Sequence, residues 1–264
     1  MTQAVQRSAR ASARLSLLGG FSLIVAGRPV SLPIHAQRVL AYLSLVQPGG
    51  SAHLRSSLAE RLWSEVTTER SHASLRTALW RIRQADKRLV HASRETVTLD
   101  EAVEVDVRRS AAQAARLLAD HHPDLQPADA DPSTLRGDLL PGWDEDWLLL
   151  ERERIHHVQI HALEALSRRL CRLGRHVEAI EAAYAAIAAE PLRESAHTAL
   201  IDVFLTEQNV AQAWRHFEQY ATLLWDELRI HPSAMLTDRV STAGGGPPAR
   251  APRVEAAGVR AIPA

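Results

Sequence analysis

The sequence predicts a mainly α protein with a small β component, built as two successive units. Three observations carry this. Residues 71–100 read as an amphipathic helix followed at once by a short hairpin. Residues 14–33 hold three short apolar runs separated by Gly19-Gly20 and Ala26-Gly27, the pattern of a small antiparallel sheet. Beyond residue 143 the pattern is helical throughout, and one stretch of it recurs after 34 residues.

Taken in order, residues 1–13 are polar, small and without period, and are expected to be disordered. The apolar runs 15–18, 21–25 and 28–32 supply the sheet. Val39, Leu40, Leu43 and Leu45 then predict a helix over 36–46, ended by Pro48-Gly49-Gly50, and Leu58 and Leu62 predict a shorter one over 55–63. In the next helix Leu75, Ala78, Leu79 and Ile82 fall at i, i+3, i+4, i+7 and form one apolar stripe. The opposite face carries Ala73, Thr77, Trp80, Arg81 and Gln84, with Arg76 and Arg83 on the flanks. Residues 89–92 and 96–99 alternate as two strands around Ser93, Arg94 and Glu95. A basic helix docked by its apolar stripe, beside a hairpin carrying an arginine, has the outline of a DNA-recognition helix and its wing. The alternative is an ordinary surface helix with solvated arginines.

A new helical segment starts by residue 111, which puts a boundary near Val107–Arg109. Residues 121–142 are rich in Pro and Asp and predict an exposed loop with one helical turn near Leu139. A long helix then runs from about Trp147 to Leu173. In the repeat, Ala179 aligns with Ala213, Ile180 with Trp214, Ala183 with Phe217 and Gly174 with Gln208. Gly174, Ala179, Ala186 and Pro191 match the tetratricopeptide pattern, in which small residues let paired helices approach closely. Residues 241–264 predict a disordered tail.

The formal net charge is zero, but residues 1–110 hold 16 Arg/Lys against 9 Asp/Glu, whereas residues 111–264 hold 15 against 22. A basic first part and an acidic second part suggest nucleic acid as partner of the one and protein as partner of the other. No apolar run reaches membrane-spanning length, residues 1–14 lack the apolar middle of a signal peptide, and the single cysteine, Cys171, excludes an intrachain disulfide. A cytoplasmic protein is expected.

Catalytic and metal-site patterns are weak. No Walker A, GxGxxG or GxSxG occurs, and His157, His161 and Glu153 do not form HExxH. Neither a cofactor nor enzymatic activity is expected, and Cys171 reads as a core residue without a histidine partner. His35, His53 and His72, near helix starts, are expected to make local hydrogen bonds, with His72 also in reach of phosphate. Asp144 and Asp146 read as a solvated helix N-terminus.

Sheet, three helices and hairpin in this order resemble the winged helix of the OmpR/PhoB type, and Arg81-Ile82-Arg83 resembles the last turn of that group's recognition helix. Trp80 stands where many relatives carry a small or basic residue; it is expected to pack on the neighbouring loop, with stacking on a sugar as its other role. The second unit resembles the bacterial transcriptional activator domain more sharply. Trp143, Trp147, Glu151 and Arg152 match its opening motif, Glu190-Pro191-Leu192-Arg193-Glu194 its core, and Glu227-Leu228 with His231-Pro232-Ser233 its end. Together the two resemblances run from about Arg14 to Arg239, in the order of SARP-type regulators of the AfsR/DnrI group.

That resemblance implies an N-terminal winged helix-turn-helix domain over 14–109 and a C-terminal all-α, tetratricopeptide-like domain over 110–240. It implies an activator of an antibiotic biosynthetic cluster that binds direct repeats in double-stranded promoter DNA as a homodimer and contacts RNA polymerase. Arg76, Thr77, Arg81 and Gln84 would face the major groove, and Arg83, His72 and the wing's Arg94 the backbone. The alternative is an interaction module whose winged helix no longer binds DNA.

Overall fold

The computed structural model describes residues 13–45, 52–119 and 125–244. The fold is mainly helical with a small β component, as the sequence predicts. Strands β1 (Ala13–Ser16), β2 (Ser22–Val25) and β3 (Arg28–Pro29) form the expected antiparallel sheet. The sequence reading missed its fourth strand, β7 (Val103–Val105), which pairs parallel to β1 with Leu15 opposite Val105. Only three residues long, that strand has too few positions to show a period. Helix α1 (Ile34–Leu45) crosses beneath, and from Val39 to Leu45 every residue is buried. Pro33 sets its start, with the Pro33 carbonyl accepting from the Ala36 N–H at 2.9 Å.

A second small sheet has the order β4-β6-β5, from His53–Leu54, Thr96–Leu99 and Val90–Ala92. Between its strands run α2 (Arg55–Leu62) and α3 (Thr68–Ala85). In α3 the apolar stripe faces inward as predicted: Leu75, Ala78, Leu79 and Ile82 are all buried.

The remaining helices are α4 (Asp106–Leu118), α5 (Asp146–Arg172), α6 (His176–Ala189), α7 (Glu194–Thr206), α8 (Val210–Leu228) and α9 (Ala234–Gly244). The loop ahead of α5 contains two short 3-10 turns, Pro127–Asp129 and Pro132–Leu135, rather than one turn near Leu139. Proline at the first position of each fixes φ where the missing N–H costs nothing. Leu139 instead forms a β-bridge with Leu18. Of the segments expected to be disordered, Ala13 opens β1 and residues 241–244 complete α9; the rest lie outside the described residues, as does the expected helix stop at 48–50.

The 34-residue repeat is written into the backbone. Gly174 has φ +72° and Gln208, its counterpart, φ +60°. The following N–H closes the same bond in each copy, Arg175 to the Leu170 carbonyl at 3.0 Å and Asn209 to the Phe204 carbonyl at 2.8 Å. Ala179 and Ala213, aligned in the repeat, are both fully buried. The side chains carrying the activator-domain resemblance hold these helices together. Arg152 donates to the carbonyls of Leu139, Leu140 and Trp143 at 2.9, 2.6 and 2.7 Å. Arg193 and Ser195 donate to the buried Glu164 on α5 at 2.8 and 2.6 Å, and Glu194 accepts from the Ser233 N–H at 2.8 Å.

The first core does not stop where the chain changes character near Val107–Arg109, a point that falls in the first turn of α4. Leu139, Leu140, Trp147, Leu148 and Ile155 belong to the same apolar cluster as Leu15, Leu40 and Leu75. Arg38 on α1 pairs with Glu145 at 2.6 Å, Trp147 donates to the same carboxylate at 3.1 Å, and the Tyr42 and Trp147 rings meet edge to face at 5.2 Å. Asp106 accepts from the Leu17 and Leu18 backbone N–H groups at about 3 Å, tying α4 to the end of β1.

Candidate nucleic-acid interface

With its stripe buried, α3 turns Arg76, Thr77, Trp80, Arg81, Arg83 and Gln84 to solvent. The structure brings these six together on one helix surface, 18 residues long and open along its outer side. Arg70 joins them at the first turn and Lys87 just past the last, two exposed cations that the sequence reading did not single out.

The arginines differ in what holds them. The Arg81 guanidinium lies over the Trp80 ring, 4.8 Å from its centroid. Trp80 is 52% exposed, with one ring face under Arg81. An exposed cation–π contact of this kind is worth about 0.5–1 kcal/mol and restricts the arginine's rotamers. Arg83 donates to the Ala92 carbonyl on β5 at 3.3 Å, which ties the last turn of α3 to the hairpin. Thr77 donates its hydroxyl to the Ala73 carbonyl at 3.1 Å, a local bond that uses its one proton and leaves the oxygen free to accept.

The hairpin turn is held from both sides. Ser93 Oγ accepts from the N–H groups of Glu95 and Thr96 at 3.2 and 2.9 Å. Arg55, at the start of α2, gives its backbone N–H to the Glu95 carbonyl at 2.7 Å and its guanidinium to the Ser93 carbonyl at 3.1 Å. Arg94 projects from this braced turn, exposed to solvent. Arg55 was missed because its role depends on a contact 38 residues away. His91 pairs with Asp100 at 2.6 Å across the base of the hairpin, and Arg88 is taken up by Asp86 at 2.9 Å.

The histidines depart from expectation. His35 accepts a bond, but a distant one, from the indole N–H of Trp63, 28 residues on, at 3.1 Å. The Nε2 atoms of His53 and His72 are instead buried, with no hydrogen-bond partner among the described residues. Burial holds the His53 imidazole below its usual range. Cys171 has a histidine neighbour after all, with His176 Nδ1 at 4.0 Å from its sulfur, a long and weak contact in a half-buried position. His157 pairs with Glu153 at 3.5 Å. Among the described residues no group of three His, Cys, Asp or Glu side chains is placed to hold a metal, and no helix is long and apolar enough to cross a membrane.

The family model for the bacterial transcriptional activator domain matches residues 102–241, more than half of the chain. The chain belongs to this family. No curated protein matches it. Among solved structures it is similar to Mycobacterium tuberculosis EmbR in complex with a low-affinity phosphopeptide, with a TM-score of 0.68 and 20% identity. The superposition covers 90% of this chain and 66% of the other, so this chain spans less than two thirds of that protein. At that identity the likeness is one of fold: a winged helix followed by the activator domain, the architecture of a SARP-type regulator. The exposed face of α3 and the braced hairpin lie in the part that precedes the family match.

Proposed function

We propose that this SARP-type activator binds double-stranded promoter DNA through α3 and the β5–β6 wing. The observation that carries the reading is the pairing of a fully buried stripe with an outward face of Arg76, Thr77, Trp80, Arg81, Arg83 and Gln84 on one helix. A helix of this kind fits the major groove, where arginine reads guanine and glutamine reads adenine. In this reading Arg81, steadied by Trp80, makes the main base contact, with Arg76, Thr77 and Gln84 beside it. Arg83 and Arg94 contact the backbone and set register. His72, half-buried near the start of α3, adds a backbone contact through its other ring nitrogen, Nδ1.

Two copies occupy a direct repeat in head-to-tail fashion, and the helical domain presents a surface to RNA polymerase in the cytoplasm, over the nucleoid. Regulation of an antibiotic cluster follows from the resemblance alone. The test is a titration of the full chain against a footprinted genomic duplex and a scrambled one, at several salt concentrations. Log K should fall with log salt by about 0.9 per phosphate contacted. Affinity that is flat with salt and equal on both duplexes would leave the interaction-module alternative.

A further inference from the structure

Between α5, α6 and the segment 135–141 runs a groove of two adjoining pockets, about 360 and 290 Å³, which share Gly137, Asp138, His156 and Gln159. Small-molecule sites begin at about 300 Å³. Gln159 lines both pockets and is 7% exposed, yet its amide nitrogen is buried with no hydrogen-bond partner. A buried donor left unpaired is costly, and a half-turn of the terminal amide exchanges its oxygen and nitrogen across the groove. The lining carries Arg136 and Arg152 against Asp138 and Glu153, with His156 shared by both pockets, so its formal charge with a neutral histidine is zero. The bed of the first pocket is largely apolar, formed by Leu163 on α5 and Tyr184, Ala185, Ala188 and Ala189 on α6.

We propose that this groove binds a small, neutral, planar carbonyl compound, its ring on the alanine face of α6 and its oxygen accepting from the Gln159 amide. The groove's far wall is shared with the first core. The Gly19 N–H donates to the Asp138 carbonyl at 2.8 Å, and the Leu140 N–H to the Leu17 carbonyl at 2.9 Å. Gly137 takes φ +101°, a conformation that L side chains rarely adopt, and lies close to the first core: a Cβ there would be in van der Waals contact, at 3.4 Å, with the Gly19 nitrogen and the Leu18 Cβ. A ligand pressing on 137–140 therefore acts on the strip that closes β1, which makes the groove an effector site. The site stands without the DNA-binding reading; only the effect on DNA rests on it.

The test titrates acetylnaphthalene and acetanilide into the full chain without DNA, followed by ligand-observed NMR, with naphthalene and naphthoate as matched controls. Saturable binding below about 1 mM is expected for the two carbonyl compounds. Naphthalene should bind at least about tenfold more weakly, for want of an acceptor. Gln159→Leu should remove that tenfold preference. Ala188→Trp, at an exposed position on α6, should abolish binding while leaving the thermal midpoint unchanged. Hydrogen exchange at Leu140 and Gly19 should slow or quicken on binding. No saturable binding, or equal binding of naphthalene and acetylnaphthalene, overturns the site. Tighter binding of naphthoate overturns the neutral class. Binding that leaves exchange at Leu140 and Gly19 unmoved overturns the effector role, whatever the chain does with DNA.

Discussion

Arg83 on α3 donates to the carbonyl of Ala92 on the wing at 3.3 Å, a direct link between helix and hairpin. Its neighbour two residues back, Arg81, is held instead by the Trp80 ring. The two arginines are therefore separable by mutation. Arg81→Ala should cost about 1–3 kcal/mol of discrimination and bring affinity for the specific duplex toward that for a scrambled one. Arg83→Ala should weaken both duplexes together and flatten the salt slope by about one. Trp80→Ala should reproduce part of the Arg81 loss. Equal losses on both duplexes for Arg81→Ala would show that another part of α3 reads the bases.

A cut at the change of chain character should not give a stable DNA-binding fragment. Ending the chain at Ser110 removes Leu139, Leu140, Trp147, Leu148 and Ile155 from the first core and leaves Arg38 without Glu145. Large core truncations cost several kcal/mol each, and a fragment lacking five such side chains should lose cooperative unfolding. Urea melts of residues 13–110 and 13–173, read by circular dichroism, compare the two. A fragment ending at 110 with a sharp transition at the full-length midpoint would refute this.

The repeat makes a paired prediction. Gly174 occupies a left-handed position that suits it, and Gln208 occupies the same position with a side chain. Gly174→Ala should destabilise by about 1 kcal/mol, and Gln208→Gly should stabilise by up to about that amount. Thermal melts of both variants suffice. Destabilisation by Gln208→Gly would mean that the Gln208 side chain contributes more than its backbone strain costs.

Acid should loosen the helical domain. His197 Nε2 faces the Pro191 carbonyl at 2.8 Å, so it carries the proton there, and His197 Nδ1 accepts from His216 Nε2 at 3.0 Å. Both rings are neutral in this arrangement. Burial, and then the neighbouring His197, hold His216 down to about 4, and burial lowers His197 as well. Unfolded histidines titrate near about 6.5. Between those values the unfolded chain binds protons that the folded one refuses, so stability is full above about 6.5 and is lost as pH falls toward 4. Midpoints measured from pH 7.5 to 4.5 should fall with a slope approaching one proton from His216, with a further part from His197, and His216→Phe should reduce it. A midpoint that is level through this range would show that other groups compensate.

The sequence determined whatever rests on short-range period and on turn chemistry. It placed the α3 stripe, the β5–β6 hairpin around Ser93–Glu95, the first three strands, the long α5 and the 34-residue repeat, because side-chain spacing reports directly on which face is buried. It also named the exposed residues of α3, since the face opposite a buried stripe has nowhere else to point. Tertiary structure decided the contacts between distant segments. β7 and β4 exist only because β1 and β6 lie beside them, and strands of two or three residues carry no pattern of their own. The burial of His72 Nε2, the clasp of Arg83 on Ala92, the Arg55 brace and the Cys171–His176 approach each depend on distances that spacing does not encode. The same is true of the junction. Composition changes near residue 110, but Trp147, Leu148 and Ile155 bury their surface against Tyr42 and its neighbours, because apolar area is removed from water wherever the fold brings it together, irrespective of where charge changes sign along the chain.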